Sequence, residues 1–336
     1  MGISLPFFLP KPIFKPKSCA YYFDMKRILS IDGGGIRGII PALVLAHLED
    51  TTGKPVADLF DLVVGTSTGG ILACALTRAG PLRRPLYSAQ DLVELYRERG
   101  HDVFNGSVWQ RISTLGGVLD EMYDHKGLEG VLHHYLGDSL LCQALAPTMV
   151  TAYDIERRET IFFKSWRERF NHISCVQACR ATSAAPTYFE PALVDLDEQE
   201  RALIDGGVFI NSPSVSAYAE ALKLFPGEEF QMLSLGTGEL TRKIPIEDSR
   251  TWGKAGWLMP LLSCMFDGMA DAADHQMRLF LGNNYRRLQL NLVGASDDMD
   301  DASPENINAL AELARDLIAK EHETLTQIEY WFQPEL

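Results

Sequence analysis

Two rhythms of apolar residues run through the chain, one of short solid runs and one at helical spacing. Arg27-Ile28-Leu29-Ser30-Ile31 is a short apolar run that stops at Asp32-Gly33-Gly34-Gly35-Ile36-Arg37-Gly38, after which Ile39, Ile40, Leu43, Val44, Leu45 and Leu48 recur at helical intervals. The pattern predicts a buried strand, a glycine turn and a helix. It returns with a strand over 58–64, a break at Gly65-Thr66-Ser67-Thr68-Gly69, and a helix over 67–78 ended by Gly80-Pro81. Helices follow over 88–99 and 128–136, with an irregular excursion over 100–119 between them. Strands are expected over 147–153 and 160–163, and a helix of small residues over 173–185. A strand over 202–204 ends in Asp205-Gly206-Gly207, with Asn211-Ser212-Pro213 capping the next helix. A strand over 231–235 ends in Gly236-Thr237-Gly238. Four apolar strands thus finish in glycine turns, which predicts an α/β fold with an open parallel sheet and a ligand site at its carboxyl edge.

The turns carry the candidate chemistry. In Gly65-x-Ser67-x-Gly69 a serine sits between a strand and a helix, where only small neighbours such as Gly65 and Gly69 let the backbone bend sharply. A serine held there is a nucleophile candidate, and the start of the helix turns N–H groups and a positive dipole end toward any anion formed beside it. An ordinary tight turn is the competing reading. Gly33-x-Gly35-x-x-Gly38 matches the dinucleotide fingerprint in the right strand–helix context, but the acidic residue expected at the end of the next strand is replaced by Ser67. The preferred alternative is that the bare amides of Gly33, Gly34 and Gly35 form an oxyanion hole for Ser67. Arg37 would then steady the turn or the developing charge.

Asp205 ends a buried strand between apolar residues and two glycines. It is either a turn aspartate bonding its own backbone or the general base for Ser67, with a pKa raised by burial. Among the eight histidines His275 follows Asp205 in the Ser–Asp–His order. It lies inside a helical pattern, however, and ranks below Asp205 as the base.

Composition narrows the classes. A length of 336 residues without linker, repeat or low-complexity block favours one large domain over 25–336. A net charge of −14 argues against nucleic acid. Six scattered cysteines form no CxxC pair and fit a reducing, cytoplasmic compartment. No run of eighteen apolar residues predicts a membrane span. Residues 1–24, apolar and proline-cut with lysines after the apolar part, are expected to be a loose tail, with an interfacial anchor as the alternative. His133-His134 is not a metal spacing. Trp252, Trp257, Leu258, Met259, Leu261, Leu262, Met265 and Phe266 form an apolar stretch that reads as a helix packed on the core or as a lid over an apolar site.

These residues resemble the patatin family of lipid acyl hydrolases. The resemblance is carried by Asp32-Gly33-Gly34-Gly35-Ile36-Arg37-Gly38, Gly65-Thr66-Ser67-Thr68-Gly69, the segment from Ala181 to Phe189, Asp205-Gly206-Gly207, Leu233-Ser234-Leu235-Gly236-Thr237-Gly238 and Met299-Asp300-Asp301-Ala302-Ser303, in the family's order. It implies a three-layer α/β/α fold with a mostly parallel sheet and a Ser67–Asp205 dyad without histidine. It also implies an oxyanion site from Gly33, Gly34 and Gly35 with Arg37 beside them. The implied substrates are acyl esters of membrane lipids, phospholipids or galactolipids, met at the lipid surface and cleaved through an acyl-enzyme. No metal or other cofactor is implied. The N-terminal tail is the departure from the pattern.

Overall fold

A computed structural model of the chain describes residues 25–103 and 125–333. The expectations for residues 1–24 and for most of the 100–119 excursion lie outside the described residues.

An eight-stranded sheet forms the middle layer, in the order β5-β6-β3-β2-β1-β7-β8 with β4 paired to β3. Its strands are β1 (Lys26–Ile31), β2 (Leu62–Gly65), β3 (Thr148–Asp154), β4 (Glu159–Lys164), β5 (Ala192–Leu196), β6 (Gln199–Asp205), β7 (Phe230–Leu235) and β8 (Tyr285–Leu288). The helices are α1 (Ile39–Thr52), α2 (Val56–Leu59), α3 (Thr68–Leu76), α4 (Ala89–Val103), α5 (His125–Leu136), α6 (Cys175–Thr182), α7 (Ser214–Leu224), α8 (Ile246–Ser249), α9 (Gly253–Leu281), α10 (Pro304–Lys320) and α11 (His322–Tyr330).

The central strands are apolar throughout because both faces are covered. Alternate residues go to opposite layers. Leu29, Ile31, Val63, Leu233 and Leu235 pack under α1, α3, α4, α5, α6, α10 and α11. Ile28, Leu62, Val64 and Met232 face Ala217 and Ala221 of α7 and Met277 of α9. The fold is therefore mixed α/β, with a mostly parallel sheet flanked by helices on both sides.

Two expectations are corrected. The strand predicted over 58–64 begins only at Leu62, because Pro55 starts the short helix α2 and places Val56, Ala57 and Leu59 in the core. The sheet is also not parallel at Asp205. β3 runs on past the end of β2, since Gly65 is level with Val150. The β5–β6 hairpin pairs antiparallel on that overhang, and β6 runs back to end with Asp205 opposite Ala152. Asp205 thus reaches the carboxyl edge from the other direction, two residues along from the level of Gly65.

Candidate active site

Ser67 lies two residues past the end of β2 and is the N-cap of α3, with φ 54° and ψ −125°. That conformation is strained for any residue with a side chain and is held by its surroundings. A Cβ on Gly65 would strike the Gly69 carbonyl, and one on Gly69 would strike the Ile31 carbonyl. Strand and helix therefore approach as closely as the turn requires only because both positions are glycine. The Ser67 N–H donates to Thr182 Oγ1 at 2.8 Å, and the Ser67 carbonyl accepts from the Gly70 N–H at 2.8 Å. The backbone is pinned and the side chain is left to point outward.

What the side chain meets is Asp205. The Ser67 hydroxyl lies close enough to the Asp205 carboxylate to favour its charged form, and that carboxylate accepts the Gly207 N–H at 2.7 Å. Asp205 is 3% exposed. Burial pushes its pKa up to about 7, against the opposing pull of the Gly207 N–H and Ser67. The two turns are tied from below: Thr151 Oγ1 donates to Thr66 Oγ1 at 2.9 Å, and Thr66 Oγ1 donates to the Ile210 carbonyl at 2.9 Å. A Cβ on Gly206 would collide with Thr151, and one on Gly207 would come within 3.3 Å of the Phe266 ring.

The glycine turn after β1 closes the third side. An added Cβ on Gly33 would lie 3.2 Å from Ser67 Cβ, so the turn faces the serine and not an open crevice. Its three amides are not equivalent. The Gly33 N–H donates to the Asn211 carbonyl at 3.1 Å and is engaged there. Among the described residues no acceptor faces the N–H of Gly34 or Gly35, nor that of Thr68 at the start of α3. Arg37 is buried and its Nε donates to the Gly34 carbonyl at 3.2 Å, so it braces the turn from behind.

Further anchors escaped the sequence reading. Thr237 Oγ1 donates to the Gly33 carbonyl at 2.6 Å, and the Met299 carbonyl accepts the Ile36 N–H at 2.9 Å. Arg287 of β8 pairs with Asp32 at 2.7 Å and donates to Ser234 Oγ at 2.9 Å, with both ionic partners buried. Burial still holds the Asp32 carboxyl above the usual carboxylate range. Arg287→Met would leave that carboxyl buried without its cation. It is expected to cost about 3–5 kcal/mol of stability, read as a fall in the urea midpoint, and an unchanged midpoint would contradict the pairing.

The site opens into a cleft of about 980 Å³, its mouth included. Ser67, Asp205 and Asn211 lie on its polar side, and Ile71, Leu95, Leu132 and Phe189 are among its apolar walls. Phe266 of α9 also lines it, while Trp257, Leu261 and Met265 on the same helix are exposed. The apolar stretch is thus a helix with one contact to the cleft and one bare face; the side chains of Leu258 and Met259 lie outside the described residues. His275 is exposed on α9 and is not a lining residue. His133 and His134 are exposed on α5.

A family model described as patatin-like phospholipase matches residues 29–218. Patatin-2-Kuras 4 of Solanum tuberosum is 32% identical over 340 aligned positions, covering 90% of this chain and 89% of the relative. Patatin-like protein 2 of Oryza sativa subsp. japonica is 31% identical over 341 positions, covering 88% and 84%. Among solved structures, human GIVD cytosolic phospholipase A2 aligns over 92% of this chain and 60% of its own, with 12% identity and a TM-score of 0.49.

Proposed function

The chain belongs to the patatin-like phospholipase family, and from that premise we propose that it is a serine lipid acyl hydrolase, cleaving acyl esters of membrane lipids with Ser67 as nucleophile and Asp205 as base. The observation that carries the reading is a strained, outward-held serine set beside a buried carboxylate whose charge it stabilises, both at the polar end of one apolar cleft.

In this reading Asp205 takes the Ser67 proton as Oγ attacks the ester carbonyl. The carbonyl oxygen gains a negative charge that the Gly34 and Gly35 amides face, joined by the Thr68 N–H at the positive end of α3. When the tetrahedral adduct collapses, the C–O bond to the lysolipid breaks and the departing alkoxide takes the proton from Asp205. The acyl group remains on Ser67. A water then attacks, giving its proton to Asp205, and the fatty acid leaves as Ser67 recovers its hydrogen. A carboxylate of ordinary pKa is a poor base for a hydroxyl, and the upward shift of Asp205 brings it near neutrality where proton transfer is best matched.

The phosphate or sugar of the lipid stays outside this scheme, so phospholipase and galactolipase activity are both within the proposal. Residues 25–336 act as one catalytic unit in it. No helix among the described residues is long and apolar enough to cross a membrane, and the proposed contact with lipid is peripheral, through the bare face of α9.

A fluorophosphonate probe tests the assignment directly. Wild type is expected to be labelled stoichiometrically at Ser67 with loss of esterase activity. A nucleotide-binding module built on Gly33–Gly38 would leave the probe unreacted, and that outcome would end the hydrolase reading.

A further inference from the structure

Beyond the polar site the cleft continues as a channel along α3. Ile71 and Ala75 line it, four and eight residues after Ser67 on one helix face. At 1.5 Å per residue, Ala75 lies about 12 Å along the axis from Ser67. Leu132, Tyr135 and Leu136 of α5 meet it there. The two helices end together, because Arg78, just past α3, donates to the Tyr135 carbonyl. Tyr135 is itself backed by Tyr87, with ring centroids 5.4 Å apart, and the Arg78 guanidinium lies over Tyr87 at 5.9 Å. Among the described residues the far end is therefore a braced aromatic floor. The wall offers little to a polar ligand, since the Tyr96 hydroxyl is already bonded to Thr68 Oγ1 at 2.5 Å.

We propose that Ala75 and Tyr135 set how much of an acyl chain the cleft walls hold, about ten carbons. The proposal rests on Ser67 being the nucleophile and adds which chain fits beside it. A zigzag of C–C bonds of ~1.5 Å advances about 1.25 Å per carbon, so about 12 Å holds ten carbons. A membrane acyl chain reaches about 15 Å, half of the hydrocarbon core, so its last few carbons lie outside the walled stretch and add nothing to binding. Each methylene that finds the wall is worth about fourfold in kcat/KM, the equivalent of ~0.8 kcal/mol.

The test is a series of p-nitrophenyl esters from four to sixteen carbons, run on wild type, Ala75→Leu and Tyr135→Ala. Wild-type kcat/KM is expected to climb about fourfold per methylene to ten carbons and then level off. In Ala75→Leu the ratio of the ten-carbon to the four-carbon ester should fall at least about 15-fold, two methylenes' worth. In Tyr135→Ala the ratio of the fourteen-carbon to the ten-carbon ester should rise at least about fourfold. Ala75 is fully buried and added bulk there strains the core. Active sites are therefore counted with a short-chain fluorophosphonate, and Tyr135→Ala, which removes bulk, is an independent arm. Profiles parallel to wild type in both variants, with Ser67 still labelled, would overturn the ruler while leaving the nucleophile in place. Ester hydrolysis persisting in Ser67→Ala would overturn the nucleophile assignment, and the ruler with it.

Discussion

Ser67→Ala is expected to reduce turnover of a lipid ester by about 10⁶-fold, and Ser67→Gly to do the same while unfolding at higher urea than wild type. The loss follows from the absence of any other nucleophile in the reaction as proposed, with the residual rate coming from amides that still polarise a bound ester. The two variants separate chemistry from backbone strain. At φ 54° and ψ −125° a Cβ is held in a region costing about 1–3 kcal/mol, and glycine enters it freely. Alanine keeps the Cβ and so keeps the strain. Ser67→Gly should gain about 1 kcal/mol over Ser67→Ala in urea unfolding. Such a gain marks a turn kept strained for function and not for stability. Equal midpoints for the two variants would mean the turn is not under load.

The parts of this site that could be read from the sequence are those whose geometry is local. Ser67 was legible because strand, glycine, serine and helix all lie within Leu62–Leu76, and Gly65 and Gly69 announce how close the two elements come. Asp205 was legible as a strand-end carboxylate, but the direction of its strand was not. That direction depends on the β5–β6 hairpin pairing with the overhang of β3, a non-local choice. The hairpin itself carries little local signal. Its turn holds Asp197 and Glu198 at φ 56° and 61°, where Asn-Gly would have signalled it, and β5 places Leu193 on its exposed face. Strand β8, Tyr-Arg-Arg-Leu, carries little strand signal of its own, because the partner that permits Arg287 to be buried, Asp32, is 255 residues away. The glycine turn shows the same limit at finer scale. Three adjacent glycines look alike on paper, and only the Asn211 carbonyl decides that Gly33 is not a free donor.

Asp205→Asn is expected to lower kcat by about 10⁴-fold, the upper range for loss of a general base. Asparagine keeps the shape and can still accept the Gly207 N–H, but it cannot take the serine proton. His275→Ala is the matched control, expected to leave activity near wild type because His275 is exposed and away from the cleft. A collapse there would restore the triad and remove Asp205 as sole base. The wild-type pH profile follows from the same carboxyl. With a pKa near 7, only the ionised fraction is active, so kcat/KM should rise to a plateau above neutrality and be about tenfold lower at pH 6. Stability should move the opposite way. Asp205 has a folded pKa of about 7 against 3.8 for the ordinary group, so the native state favours the protonated form. Its favourable contribution is full below about pH 4 and is lost as pH rises through 7. The penalty at high pH is on the order of 4 kcal/mol. An asparagine side chain in that place carries no such penalty, so the stability of Asp205→Asn relative to wild type should grow by about 2–3 kcal/mol between pH 5 and pH 8. Urea midpoints for the pair at both pH values measure it. A difference that stays constant, together with a flat activity profile, would show that the carboxylate is ionised throughout and is a structural turn residue, not a base.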